Sequence, residues 1–220
     1  MSKIVVATLV VLLCAPWSPP SFADKRLLVL GDSLSAAYGL PVESGWVALL
    51  QQYLEQHELP IAVINASISG DTTQGGLSRL PDLLRSYTPA IVILELGAND
   101  GLRGFPPQLI SDNLQQMIQQ SKQGGARVLL LGMRIPPNYG AKYTSMFYNN
   151  YQQLAEQEQI ALVPFLLKGV AAEPGMMQAD GLHPTAAAQD TLLQNVLPAL
   201  LPLLDQAHSQ PSRPQLEPAS

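Results

Sequence analysis

Cysteine occurs once in the 220 residues, at Cys14. An internal disulfide is therefore excluded, as is a cysteine-rich metal site. Charge is also scarce: Asp, Glu, Lys and Arg make up 13% of the chain, with 12 basic residues against 17 acidic. No run of Lys and Arg forms anywhere, which argues against a nucleic-acid partner. The net charge of −5 gives no attraction to anionic bilayers. Several catalytic templates are missing. Position 35 is Ser35, so there is no G-x-S-x-G elbow. His57-Glu58 lacks the second histidine of H-E-x-x-H, and Gly124-Gly125 is not followed by the G-K-[ST] of a phosphate loop.

The N-terminus reads as a signal peptide. Lys3 gives the positive start, residues 4–15 an apolar run, and Ser21-Phe22-Ala23 the small residues of a cleavage site. Cleavage is expected after Ala23. The run is too short for a membrane span, which takes about 20 apolar residues, and Pro16, Pro19 and Pro20 follow it. A lipid attached at Cys14 would want a small residue before it, where Leu13 stands. A periplasmic or secreted protein without a stable membrane anchor is expected, and its mature chain has no cysteine.

Apolar runs alternate with helical patterns along the rest of the chain. Strands are expected over 26–31, 61–64, 90–96, 127–131 and from Leu162. Helices are expected over 43–56, 73–86, 107–123, 142–159 and 185–204, the last interrupted or kinked near Pro198 and Pro202. The strands are continuously apolar, as in a sheet covered on both faces. The pattern implies an α/β fold: a three-layer α/β/α sandwich on a central, mostly parallel five-stranded sheet. One domain over 24–204 is expected, then a polar, Pro-rich and disordered tail over 205–220.

Four short segments fall where such a sheet binds ligands, at the carboxyl ends of its strands or in a loop on that edge. Gly31-Asp32-Ser33-Leu34 follows the first strand, Ser69-Gly70-Asp71 the second, and Gly97-Ala98-Asn99-Asp100 the third. Asp180-Gly181-Leu182-His183-Pro184 precedes the last helix. Each alone is ordinary turn material. Together they hold the parts of acyl transfer. A serine hydroxyl needs an imidazole to take its proton, and His183 is the histidine in a suitable loop. Asp180, three residues earlier, is placed to hold that ring in the right tautomer. The Asn99 amide and the backbone N–H groups of Gly70 and Ser33 are candidate donors to a developing oxyanion. Asp32 and Asp100 are expected to make turn hydrogen bonds that fix the backbone beside Ser33 and Asn99.

These blocks resemble the GDSL (SGNH) hydrolases, marked by Ser, Gly, Asn and His in four separate blocks. The segments LGDSLSAAYGL, NASISGDTT, ELGANDGLRGF, RIPPNYG and DGLHP look like the periplasmic thioesterase I/protease I/lysophospholipase branch, over roughly residues 25–204. Ala98 departs from the second glycine often seen there. The resemblance implies a flavodoxin-like fold and a serine esterase acting on thioesters, aryl esters and lysophospholipids. It implies Ser33, Asp180 and His183 as catalytic residues, and Ser33, Gly70 and Asn99 as the oxyanion hole. No metal or cofactor is implied.

Substrate choice is less determined. Leu102, Phe105, Ile135, Pro136, Pro137 and Tyr139 lie in loops after the third and fourth strands and are expected to line an apolar slot. A small acyl ester or lysophospholipid is the expected partner, and the protein is expected to be a monomer. A short-chain carbohydrate acetylesterase on the same fold stays open. A non-catalytic binding module is a further alternative, though such a module would be expected to lose Ser33 or His183.

Overall fold

The computed structural model describes residues 25–208. The expected leader with its cleavage point, and the tail beyond residue 208, lie outside the described residues. Five strands form one sheet: β1 (Lys25–Gly31), β2 (Ile61–Asn65), β3 (Ile91–Glu95), β4 (Arg127–Leu131) and β5 (Ala161–Val163). Their spatial order is β2-β1-β3-β4-β5, and every pairing is parallel. β1, β3 and β4 are almost wholly buried, which explains why they read as unbroken apolar runs rather than alternating ones.

Six helices cover the sheet: α1 (Trp46–Gln56), α2 (Thr73–Tyr87), α3 (Ala98–Leu102), α4 (Pro107–Gln123), α5 (Ala141–Glu158) and α6 (Gln189–His208). α1 packs on α6, while α2 packs on α4 and α4 on α5. The result is the expected three-layer sandwich. Local chemistry sets several boundaries. Thr72 caps α2 by accepting from the Gly75 N–H. Pro107 opens α4, where its missing N–H costs nothing.

Two elements differ from expectation. The segment after β3 is not a plain loop but the single-turn helix α3, which begins at Gly97 with a φ of 115°. Tyr151 lies against that glycine, and a Cβ there would collide with its hydroxyl. The last helix is continuous through Pro198 and Pro202 and runs to His208, past the expected end at 204. Its packing on α1 and the sheet outweighs the two lost backbone donors.

Connections leave β1 towards β2 on one side and return to β3 on the other. The carboxyl ends of β1 and β3 therefore flank the point where strand order reverses, and ligands bind there in open α/β sheets. Gly31 and Glu95 are paired across this point.

Candidate active site

Ser33 sits two residues beyond the end of β1, in a turn closed by the Ala36 N–H donating to Asp32 O and the Tyr38 N–H donating to Ser33 O. His183 comes from the loop before α6. Its Nε2 lies 2.9 Å from Ser33 Oγ. Its Nδ1 lies 2.6 Å from Asp180 Oδ2. The other oxygen of Asp180 accepts from the backbone N–H groups of Leu182 and His183, at 2.9 and 3.0 Å. Asp180 thus folds its own loop around the ring it faces. The His183 ring, then these two N–H groups, pull the Asp180 carboxyl down to about 2. With an ionised carboxylate accepting the Nδ1 proton, Nε2 is left as the acceptor for the Ser33 hydroxyl.

Asn99 lies in the first turn of α3. Its Nδ2 donates one hydrogen to Asp32 Oδ2 at 3.0 Å, which leaves the second for a ligand. Gly70 is exposed on the loop after β2, at a φ of 81° that favours glycine. Its carbonyl accepts from Arg103 just beyond α3, at 3.1 Å. The structure therefore joins Ser33, His183 and Asp180 through direct hydrogen bonds, ties Asn99 to Asp32 beside Ser33, and sets Gly70 beside α3.

The neighbouring carboxylates reach further than turn contacts. Asp32 does make the expected turn bond, accepting from the Leu34 N–H at 3.0 Å, but it also holds Asn99. Burial pushes its carboxyl up to about 6, against the pull of Leu34, Glu95, His183 and Asn99. Asp100 accepts from the Thr73 N–H and hydroxyl at 2.9 and 2.6 Å, so it ties α3 to the start of α2. Asp71 pairs with Arg79 at 2.5 Å behind Gly70.

Three residues at the site escaped the sequence reading. The Tyr38 ring lies 4.3 Å, centroid to centroid, from the His183 ring. Gln178 donates from Nε2 to Tyr38 O and to Pro184 O, both at 2.9 Å, while its backbone N–H donates to His183 O at 2.7 Å. One side chain thereby fastens the serine turn to the histidine loop. Glu95, at the end of β3, is fully buried beneath Asp32. Its signal in the sequence was a lone carboxylate in an otherwise apolar strand. Gln178 had no such signal.

The expected substrate residues are divided. Tyr139 and Tyr143 line a groove of about 440 Å³ with Gly140, Ala141, Lys142 and Met146. Tyr139 also donates to Leu102 O at 2.8 Å, and Tyr143 to Phe105 O at 2.6 Å. Leu102 and Phe105 are half-buried, and Pro136 and Pro137 are exposed. Ile135 is buried against Gly101 in the core, so it backs the loop instead of offering open surface. A larger groove, about 650 Å³, lies between the end of α1 and the amino end of β2, on the edge of the sheet opposite Ser33.

Comparison with known proteins finds relatives over most of the chain. The family described as GDSL-like lipase/acylhydrolase matches residues 29–191. The chain is 56% identical over 182 residues to Esterase TesA of Pseudomonas aeruginosa, covering 83% of this chain and 90% of that one. It is 44% identical over 183 residues to Thioesterase 1/protease 1/lysophospholipase L1 of Escherichia coli K12, covering 83% and 86%. The crystal structure of the psychrotrophic esterase EstA from Pseudoalteromonas sp., inhibited by monoethylphosphonate, superposes with a TM-score of 0.79 at 42% identity, covering 83% of this chain and all of that one.

Proposed function

The chain belongs to the GDSL-like lipase/acylhydrolase family and is a serine hydrolase that acts on ester bonds; from that premise we propose that it is an exported acyl esterase working through Ser33, His183 and Asp180. The observation that carries this reading is the unbroken hydrogen-bond chain from Ser33 Oγ through His183 to Asp180. Ser33 attacks the acyl carbonyl carbon while His183 Nε2 takes the hydroxyl proton. Asp180 holds the Nδ1–H and stabilises the imidazolium as it forms. The carbonyl oxygen becomes an oxyanion, which accepts from the Asn99 amide and the N–H groups of Gly70 and Ser33. His183 then passes its proton to the leaving group. In the second half-reaction it deprotonates a water, which attacks the acyl-enzyme and frees Ser33.

Both the relatives and the surface support a substrate class. One relative's name includes a thioesterase and a lysophospholipase, another's is an esterase. With the sequence resemblance, these names support thioesters, aryl esters and lysophospholipids as the acyl donors proposed for this chain. The groove beside Tyr139, Tyr143 and Met146 offers apolar wall for an acyl chain. The sequence signals for export support a working location in the periplasm or outside the cell, where lysophospholipids and free esters are accessible and coenzyme A thioesters are not.

A profile of kcat/KM on p-nitrophenyl esters from acetyl to palmitoyl, beside a lysophospholipid, tests the substrate class. Medium or long chains are expected to outperform acetyl. A sharp preference for acetyl would favour the carbohydrate acetylesterase alternative. Sequencing the N-terminus of exported protein tests the location. It is expected to begin at Asp24, and a retained Met1 or a lipid on Cys14 would contradict export by this route.

A further inference from the structure

Glu95 is the one charged residue buried within a strand among the described residues. A lone buried carboxylate is strongly unfavourable unless it is paired or protonated. Among the described residues no basic side chain forms an ion pair with it. Its Oε2 accepts from the Asp32 N–H at 3.1 Å and from the Ser35 hydroxyl at 2.8 Å. Its Oε1 is buried and has no donor. Gly31, opposite it in the ladder, leaves the room it occupies: a Cβ there would lie 2.7 Å from Oε2.

Glu95 and Asp32 are both buried, and the Asp32 N–H that donates to Glu95 Oε2 sets the two carboxyl groups side by side. Two neighbouring buried carboxyl groups with no cation between them do not both stay ionised, so one of them carries a proton. The surroundings decide which. Both Asp32 oxygens already accept, Oδ1 from the Leu34 N–H and Oδ2 from Asn99. Glu95 has the bare oxygen. Burial and then the Asp32 charge raise the Glu95 carboxyl well above its ordinary range, in keeping with that assignment. The other titratable groups facing the pair are His183, Asp100 and Tyr151, whose hydroxyl donates to Leu96 O at 3.0 Å.

We propose that Asp32 and Glu95 form a positioning pair that shares one proton, with Glu95 protonated and Asp32 the ionised acceptor that aims the Asn99 amide at the oxyanion. This deepens the reading given above and rests on the oxyanion role of Asn99. An amide free to turn would present its oxygen to the oxyanion as readily as its nitrogen. Asp32 accepts one amide hydrogen and so fixes the other outward. The Glu95 proton keeps Asp32 an acceptor and halves the negative charge beneath a site where more will develop. Glu95 also holds the Asp32 N–H, and so the peptide adjoining the Ser33 N–H. One pair thereby steadies candidate donors delivered by two different strands.

The test uses the full chain and its Glu95→Gln, Glu95→Leu, Asp32→Ala, Asn99→Ala and Asp32→Ala/Asn99→Ala variants. At neutral pH, the infrared difference between wild type and Glu95→Gln is expected to carry the C=O stretch of a protonated carboxyl group. Gln supplies a neutral donor to Asp32, so Glu95→Gln is expected to keep most of the kcat on p-nitrophenyl butyrate that Glu95→Leu loses. Asp32→Ala is expected to lower kcat roughly tenfold or more, as removal of an orienting partner does, with KM little changed. The double variant is expected to be no worse than Asn99→Ala, because Asp32 acts through Asn99. A missing carboxyl band, a Gln variant as impaired as the Leu variant, or losses that multiply in the double variant would each overturn the proposal. If Asp32→Ala or Glu95→Leu fails to fold, the infrared band and the Gln variant still decide. Phosphonate labelling of wild-type Ser33 keeps the two readings apart: failure to label strikes the nucleophile assignment, whereas the infrared band strikes only the pair.

Discussion

His183 Nε2 lies 2.9 Å from Ser33 Oγ, across 150 residues of chain. The two side chains come from the carboxyl end of the first strand and the loop before the last helix. Their meeting depends on the sheet order that brings those segments to one edge and on the side chains that hold the loops there.

Unequal losses are expected from the two partners of Ser33. His183→Ala removes the base hydrogen-bonded to the hydroxyl, so its kcat is expected to fall nearly as far as that of Ser33→Ala, by several powers of ten. Asp180 acts only through His183, and its half-exposed position allows water to take part of its place. Asp180→Ala is expected to be clearly impaired but milder. Steady-state kinetics of the three variants on one soluble ester check this order, and equal losses for Asp180→Ala and His183→Ala would refute it.

The Asp180 carboxyl also gives a pH signature. Its folded value is depressed to about 2, from about 3.9 in an unfolded chain. A depressed carboxyl contributes stability above the unfolded value and loses it as pH falls through the folded one. The Tm advantage of wild type over Asp180→Asn is therefore expected to hold steady above about pH 5 and to close as pH drops from about 4 towards 2. A gap that stays constant down to pH 2 would mean that Asp180 does not hold His183 in solution.

Under the proposed oxyanion role of its second amide hydrogen, Asn99→Ala is expected to lower kcat by about 10²–10³ with little change in KM. A pure rise in KM would assign Asn99 to substrate binding instead.

Gln178→Leu is expected to lower kcat without a matching change in KM, by up to about 10²-fold if the two loops drift by about 1 Å. It removes the two side-chain hydrogen bonds of Gln178, one to Tyr38 O in the serine turn and one to Pro184 O in the histidine loop, while nearly keeping side-chain volume. If Gln178 acts only by placing His183, adding the change to His183→Ala is expected to cost nothing further. Additive losses would show a general structural role.

The sheet was readable because a strand buried on both faces is mostly apolar, and the buried stretches of β1, β3 and β4 are apolar except for Glu95. The four site segments were readable because each ends a strand or opens a helix on one edge. What escaped detection was set by tertiary contact. Gln178 makes its bonds with carbonyl oxygens at Tyr38 and Pro184, and no local pattern encodes those. Tyr38 meets His183 only after the loops close. The helix after β3 is one turn long, too short for a hydrophobic period to register. Ile135 was placed in the substrate slot by its position in the chain, but the backbone turns it into the core against Gly101. Proline in the last helix suggested a break, yet packing against α1 and the sheet keeps that helix continuous. Glu95 was the missed residue with a usable signal, since a carboxylate in a buried strand demands a partner.

Covalent capture at Ser33 tests the central claim most directly. The protein is incubated with a p-nitrophenyl alkylphosphonate, which mimics the tetrahedral intermediate, and its intact mass and peptide map are measured. One adduct per chain, located on Ser33 and absent from Ser33→Ala, is the expected result. An adduct on another residue, or undiminished labelling and ester hydrolysis in Ser33→Ala, would contradict it.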